Sequence, residues 1–174
     1  MTESSGGGAA GTASPFLARL EAVEARLAAH AAGEVPNRLT EPDPKTGERW
    51  SAGQVWGHMA EFVPYWLGHV RRVVAEGSND PVPFGRSGPD LDARAAGIER
   101  GRREPPSRLM AEIHGAIAEV SEVLKAIDAA GWAARGRYPT QGVMPLRRII
   151  EEFEVGHLEA HADQLDSLKE EAGG

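Results

Sequence analysis

Apolar positions recur at helical spacing in four long stretches of the chain and in few other places. Phe16, Leu17, Leu20, Val23 and Leu27 fall on one face of a first predicted helix, with Ser14 as its N-cap, Pro15 at its first position and an end near Gly33. After a Pro- and Gly-bearing loop, Ser51 and Gln54 have the spacing of a capping box, which predicts a second helix over 52–76. Pro64 lies inside it, but the apolar period continues through Leu67, Val70 and Val73, so a kink is expected rather than a stop. Leu109, Ile113, Ile117, Val120, Leu124 and Ile127 mark a third helix near 105–130. Pro145 opens a fourth that reaches about residue 170.

Between the second and third helices, residues 77–106 are rich in breakers and too long for an ordinary bundle connection, so they read as a crossover with one short helix at 90–101. The segment WAARGRYPTQGV reads as a second irregular connection. Four long amphipathic helices predict an all-α fold, a four-helix bundle with a long crossover between its second and third helices. The Gly-, Ser- and Ala-rich opening has little to bury, which makes 1–14 a flexible tail and 15–171 the bundle domain.

Composition narrows the chemistry. The net charge of −7 disfavours nucleic-acid binding, and the arginine pairs Arg71-Arg72, Arg102-Arg103 and Arg147-Arg148 stand beside acids, as on solvated faces. No cysteine is present, so any thiol chemistry must bring its own thiol. No signal sequence and no membrane span are legible, and the expected location is the cytoplasm.

One stretch, EFEVGHLEAHADQL, carries the candidate chemistry. His157 and His161 lie one turn apart on a face shared with Leu146, Ile150, Phe153, Gln164 and Leu168, so both imidazoles look inward. Two imidazoles rarely hold an ion alone, and His58 on the second helix is the best third ligand. His69 lies beyond Pro64, and His30 and His114 fit surface or satisfied-core roles. Around the three, Glu61 and Glu154 each stand three residues from a proposed ligand and Gln164 follows His161 by three. Any of these can orient an imidazole or move a proton; Gln164 is favoured for it, while both glutamates read more simply as solvated helix flanks. Tyr65 and Trp66 are pocket candidates, and Trp50 and Trp56 read as core.

Taken together, WSAGQVWGHMAEF, GVMPLRRIIEEF and GHLEAHADQL resemble the DinB-like family, four-helix metalloenzymes related to bacillithiol- and mycothiol-dependent S-transferases, over about residues 16–168. The resemblance implies a divalent metal, Zn or Ni foremost, held by His58, His157 and His161. It further implies a homodimer, and a thiol-dependent transferase in which a metal-bound low-molecular-weight thiol attacks a small-molecule substrate. Hydrolysis at the same ion, or metal or ligand binding without catalysis, are the alternatives; no catalytic side chain is assigned.

Overall fold

The computed structural model describes residues 6–170, and the fold is mainly helical. Helix α1 spans Gly6–Ala31, α2 Ala52–Glu76, α3 Gly88–Arg100, α4 Pro106–Ala126 and the single-turn α5 Ala129–Trp132. A last helical rod is assembled from α6 (Leu146–Ile150), a π-helical turn (Glu151–Val155) and α7 (Gly156–Glu170). Helix α1 packs on α4 and α7, and α2 packs on α3, α4 and α7. The apolar stripes legible in the sequence meet in one core, where Phe16, Leu27, Phe62, Leu109, Ile113 and Leu124 are almost wholly buried.

The Ser51–Gln54 capping box forms as expected. Ser51 Oγ accepts from the Gln54 N–H, and Gln54 Oε1 accepts from the Ser51 N–H at 2.9 Å. Helix α2 then runs unbroken through Pro64 to Glu76.

Three features depart from the sequence reading. Helix α1 begins at Gly6, with Pro15 inside it, so residues 6–14 of the expected tail are helical. The alanines here favour helix, and Ala13 is buried in the core, so this turn has an apolar contact to make after all. Residues 1–5 and 171–174 lie outside the described part. Second, the WAARGRYPTQGV region and the crossover form a small sheet of order β1-β2-β3, with β1 (Val82–Pro83) parallel to β2 (Arg135–Tyr138) and β2 antiparallel to β3 (Gly142–Pro145). Gly142, at φ +74°, follows the turn at 139–141 and opens β3. Third, the expected fourth helix carries a π turn that ends two residues before His157.

The crossover helix α3, expected at 90–101 and found at 88–100, lies against α2 with almost no intervening side chain. Gly53 and Gly57 of α2 face Gly97 and Gly101 of the crossover. A Cβ at Gly57 would come within 2.4 Å of the Gly97 carbonyl oxygen, and one at Gly101 within 1.9 Å of the Gly53 carbonyl oxygen. Only glycine permits this approach, and it carries α3 over the part of α2 that bears His58. No described helix is long and apolar enough to cross a membrane.

Candidate metal centre

His58 from α2 and His157 and His161 from α7 come together at one point. His58 Nε2 lies 3.3 Å from His157 Nε2, and His157 Nε2 lies 3.1 Å from His161 Nε2. His58 and His161 are 5% and 7% exposed, and His157 is partly covered. Phe62 packs against His58 and His157 at ring-centroid distances of 5.2 and 4.5 Å. Trp50 stacks on His161 at 6.1 Å and meets His58 edge-on at 5.1 Å. Trp50 is held by the loop before α2: its N–H donates to Thr40 Oγ1 at 2.9 Å, and its carbonyl accepts from the Thr40 N–H at 2.7 Å.

This burial decides the charge of the rings. Desolvation pushes all three imidazoles below the ordinary histidine value, His157 to about 3 and His161 to about 4, and the neighbouring rings and the Arg94 and Arg86 charges push His58 and His157 further in the same direction. At neutral pH the rings are therefore neutral and present lone pairs. His161 Nδ1–H donates to Gln164 Oε1 at 2.7 Å, which leaves His161 Nε2 as the lone-pair atom facing the other two rings.

The two glutamates do not lie on solvated flanks. Glu61 is largely covered and takes Arg86 in a two-bond pair, Nη1 to Oε1 at 2.7 Å and Nη2 to Oε2 at 2.8 Å. Its Oε2 lies 3.9 Å from His58 Nδ1, beyond hydrogen-bond range, and that nitrogen is buried without a partner. Glu154, on the π turn, is 1% exposed, and neither carboxylate oxygen finds a partner. Burial raises its pKa well above the ordinary carboxylate value, toward the neutral acid. Glu154 belongs to the π turn, whose spacing departs from a simple helical count.

Tyr65 and Trp66 do not border the cavity at the triad. They form an aromatic group with His69, Phe84, Phe153 and Tyr138, where the Tyr65 hydroxyl lies 3.0 Å from His69 Nε2 and Arg86 lies 4.1 Å over the Tyr65 ring. His30 bonds Asp166 at 2.6 Å and His114 bonds Glu24, so neither approaches the triad. Trp50, which the sequence reading took for core, and Arg94, which it missed, both border the site. Trp50 precedes the Ser51 N-cap directly, a position that places it beside the first turn of α2 and argues for the site over the core.

A cavity of about 140 Å³ opens on the three imidazoles, bordered also by Thr40, Trp50, Arg94 and Gln164, with acids of the 41–48 loop at its rim. Tetrahedral bonds of about 2.0–2.1 Å to imidazole nitrogens set ligand nitrogens roughly 3.3 Å apart. The observed 3.1 and 3.3 Å separations fit that value, and three converging lone pairs that cannot all share protons suit a divalent ion.

No curated protein and no solved structure matches the chain. The family model described as the DinB superfamily matches residues 15–165, nearly the whole length, and the histidine cluster lies within the match. The chain belongs to the DinB superfamily.

Proposed function

We propose that the protein is a metal-dependent enzyme built as a four-helix bundle, with His58, His157 and His161 holding one divalent ion and a low-molecular-weight thiol supplying the nucleophile in a transfer reaction. The observation that carries this reading is the convergence of three neutral imidazoles on one open cavity, with His157 Nε2 3.3 Å from His58 Nε2 and 3.1 Å from His161 Nε2. Three neutral imidazoles leave further coordination positions, the pattern of a reactive rather than a purely structural site. When bound, a divalent ion lowers the pKa of a thiol or water placed beside it.

The chain's own residues prepare the site. Gln164 sets the tautomer of His161, and Trp50 and Phe62 wall the rings from water, which keeps the imidazoles neutral. In the transfer, the thiol sulfur bonds to the electrophilic carbon, the S–H proton passes to solvent, and the leaving group departs with its bonding pair. A homodimer in solution belongs to the same reading and is checked by light scattering.

The test is a thiol-consumption assay with mycothiol or bacillithiol and 1-chloro-2,4-dinitrobenzene, on metal-loaded, metal-free and His157→Ala protein. Consumption above the uncatalysed rate in the metal-loaded protein alone is the expected result. Stoichiometric metal without any thiol turnover contradicts the transferase and leaves hydrolysis or simple metal binding.

A further inference from the structure

The cavity over the triad contains one cation that the proposed metal site does not use. Arg94 projects from α3, the crossover helix held against α2 by the Gly53, Gly57, Gly97 and Gly101 approach, and it borders the same cavity as all three imidazoles. Its guanidinium carbon lies 5.3 Å from the centroid of the Trp50 ring, which itself packs on His58 and His161. Among the described residues Arg94 makes no ion pair and no hydrogen bond. Its neighbour Arg86 differs in every respect, being fully engaged by Glu61 and stacked on Tyr65. A half-covered arginine, oriented by an aromatic face and left with its donors unused, suits the planar oxygens of a ligand acid.

We propose that Arg94 binds the carboxylate of the molecule handled at the triad, and that this molecule is a small monoanionic acid. The far rim favours a single charge. Glu41, Asp43 and Glu48 border the cavity; the Asp43 carboxylate is engaged by the Lys45 and Thr46 N–H groups at 2.8 Å, while Glu41 and Glu48 are exposed. These acids oppose a dianion such as a phosphate monoester, whereas a carboxylate paired with Arg94 keeps its one charge on the arginine side. The inference rests on the triad cavity being the substrate site of the proposed function, but it does not need the ion.

The experiment titrates 4-fluorophenylacetate, its neutral amide 4-fluorophenylacetamide and the dianion 4-fluorophenyl phosphate by ¹⁹F NMR into metal-loaded and metal-free protein. Wild type, Arg94→Gln and Arg94→Lys are compared, with circular dichroism verifying that each variant is folded. Wild type should bind the acid at least about tenfold more tightly than the amide. Arg94→Gln should abolish most of that preference while leaving amide binding unchanged, and Arg94→Lys should keep part of it. An acid-over-amide preference that is absent in wild type, or unchanged in Arg94→Gln, overturns the proposal, and tighter binding of the phosphate overturns the monocarboxylate class. The metal-free titrations keep the two readings apart: a chain that binds no metal but retains an Arg94-dependent preference refutes the metal site alone.

Discussion

The Nε2 atoms of His58 and His157 lie 3.3 Å apart although 99 residues separate them in the chain. Two neutral rings in that arrangement have at most one proton to share between their facing nitrogens, and His161 adds a third Nε2 at 3.1 Å from the second. The cost of collecting unpaired lone pairs in a covered site is the physical reason for reading the cluster as a place for an ion.

Gln164 fixes the ring of His161 through a 2.7 Å hydrogen bond at Nδ1. Gln164→Leu should preserve the fold and lower metal affinity by about 10- to 100-fold, because the ring loses the partner that keeps its lone pair on Nε2. Chelator-competition titration of the two proteins measures this. Equal affinities would remove Gln164 from the site.

The buried imidazoles make the stability of metal-free protein depend on pH. Their folded pKa values lie below the ordinary 6.5, at about 3 for His157 and about 4 for His161, so the unfolded chain takes up protons that the folded chain refuses. The stabilisation they confer is complete above pH 6.5 and drains as the pH falls toward those folded values. Between pH 7.5 and 5 the loss should be about 2 kcal/mol or more, read from urea unfolding. The His157→Gln, His161→Gln double variant should show a clearly shallower slope, and an unchanged slope would contradict the burial argument.

Glu154 has the opposite sign. Its folded pKa is raised, so its contribution is fully present below pH 4.5 and is lost as the pH rises toward the folded value. Glu154→Gln, which stays neutral at every pH, should therefore stabilise the protein at pH 7 by about 1–2 kcal/mol, with the gain shrinking toward pH 4.5. Destabilisation at pH 7 would mean that the carboxylate finds a partner in solution.

The sequence makes some of this architecture legible and hides the rest, for physical reasons tied to particular residues. His157 and His161 could be read as a pair, and His58 as their partner, because helical period alone fixes which way they face. Ser51 and Gln54 marked the start of α2 because a capping box is a local interaction. The strands β2 and β3 were invisible: RGRY and GVMP are four residues each, carry Gly or Pro, and owe their conformation to pairing with one another and with β1. The π turn at Glu151–Val155 leaves no pattern in composition, so Glu154 was misassigned to a solvated flank. Trp50 and Arg94 reach the cavity from a loop and from the crossover helix, whose placement depends on a glycine contact between segments far apart in sequence.

That glycine contact is itself testable. Gly101→Ala would drive a Cβ to 1.9 Å from the Gly53 carbonyl oxygen, so α3 must move. The substitution should destabilise the protein by about 1–3 kcal/mol in denaturant unfolding. Gly115→Ala in α4, where the added methyl meets nothing within 4 Å, should be neutral or slightly stabilising. Equal effects of the two would contradict the close packing of α2 and α3.

The most direct measurement is the metal content of tag-free protein after equilibration with Zn or Ni and removal of loosely held ion, determined by elemental analysis. The account predicts about one equivalent per chain in wild type and its loss in folded His157→Ala and His58→Ala variants. Wild-type protein that retains no stoichiometric metal, or variants that retain it fully, would contradict the three-histidine site.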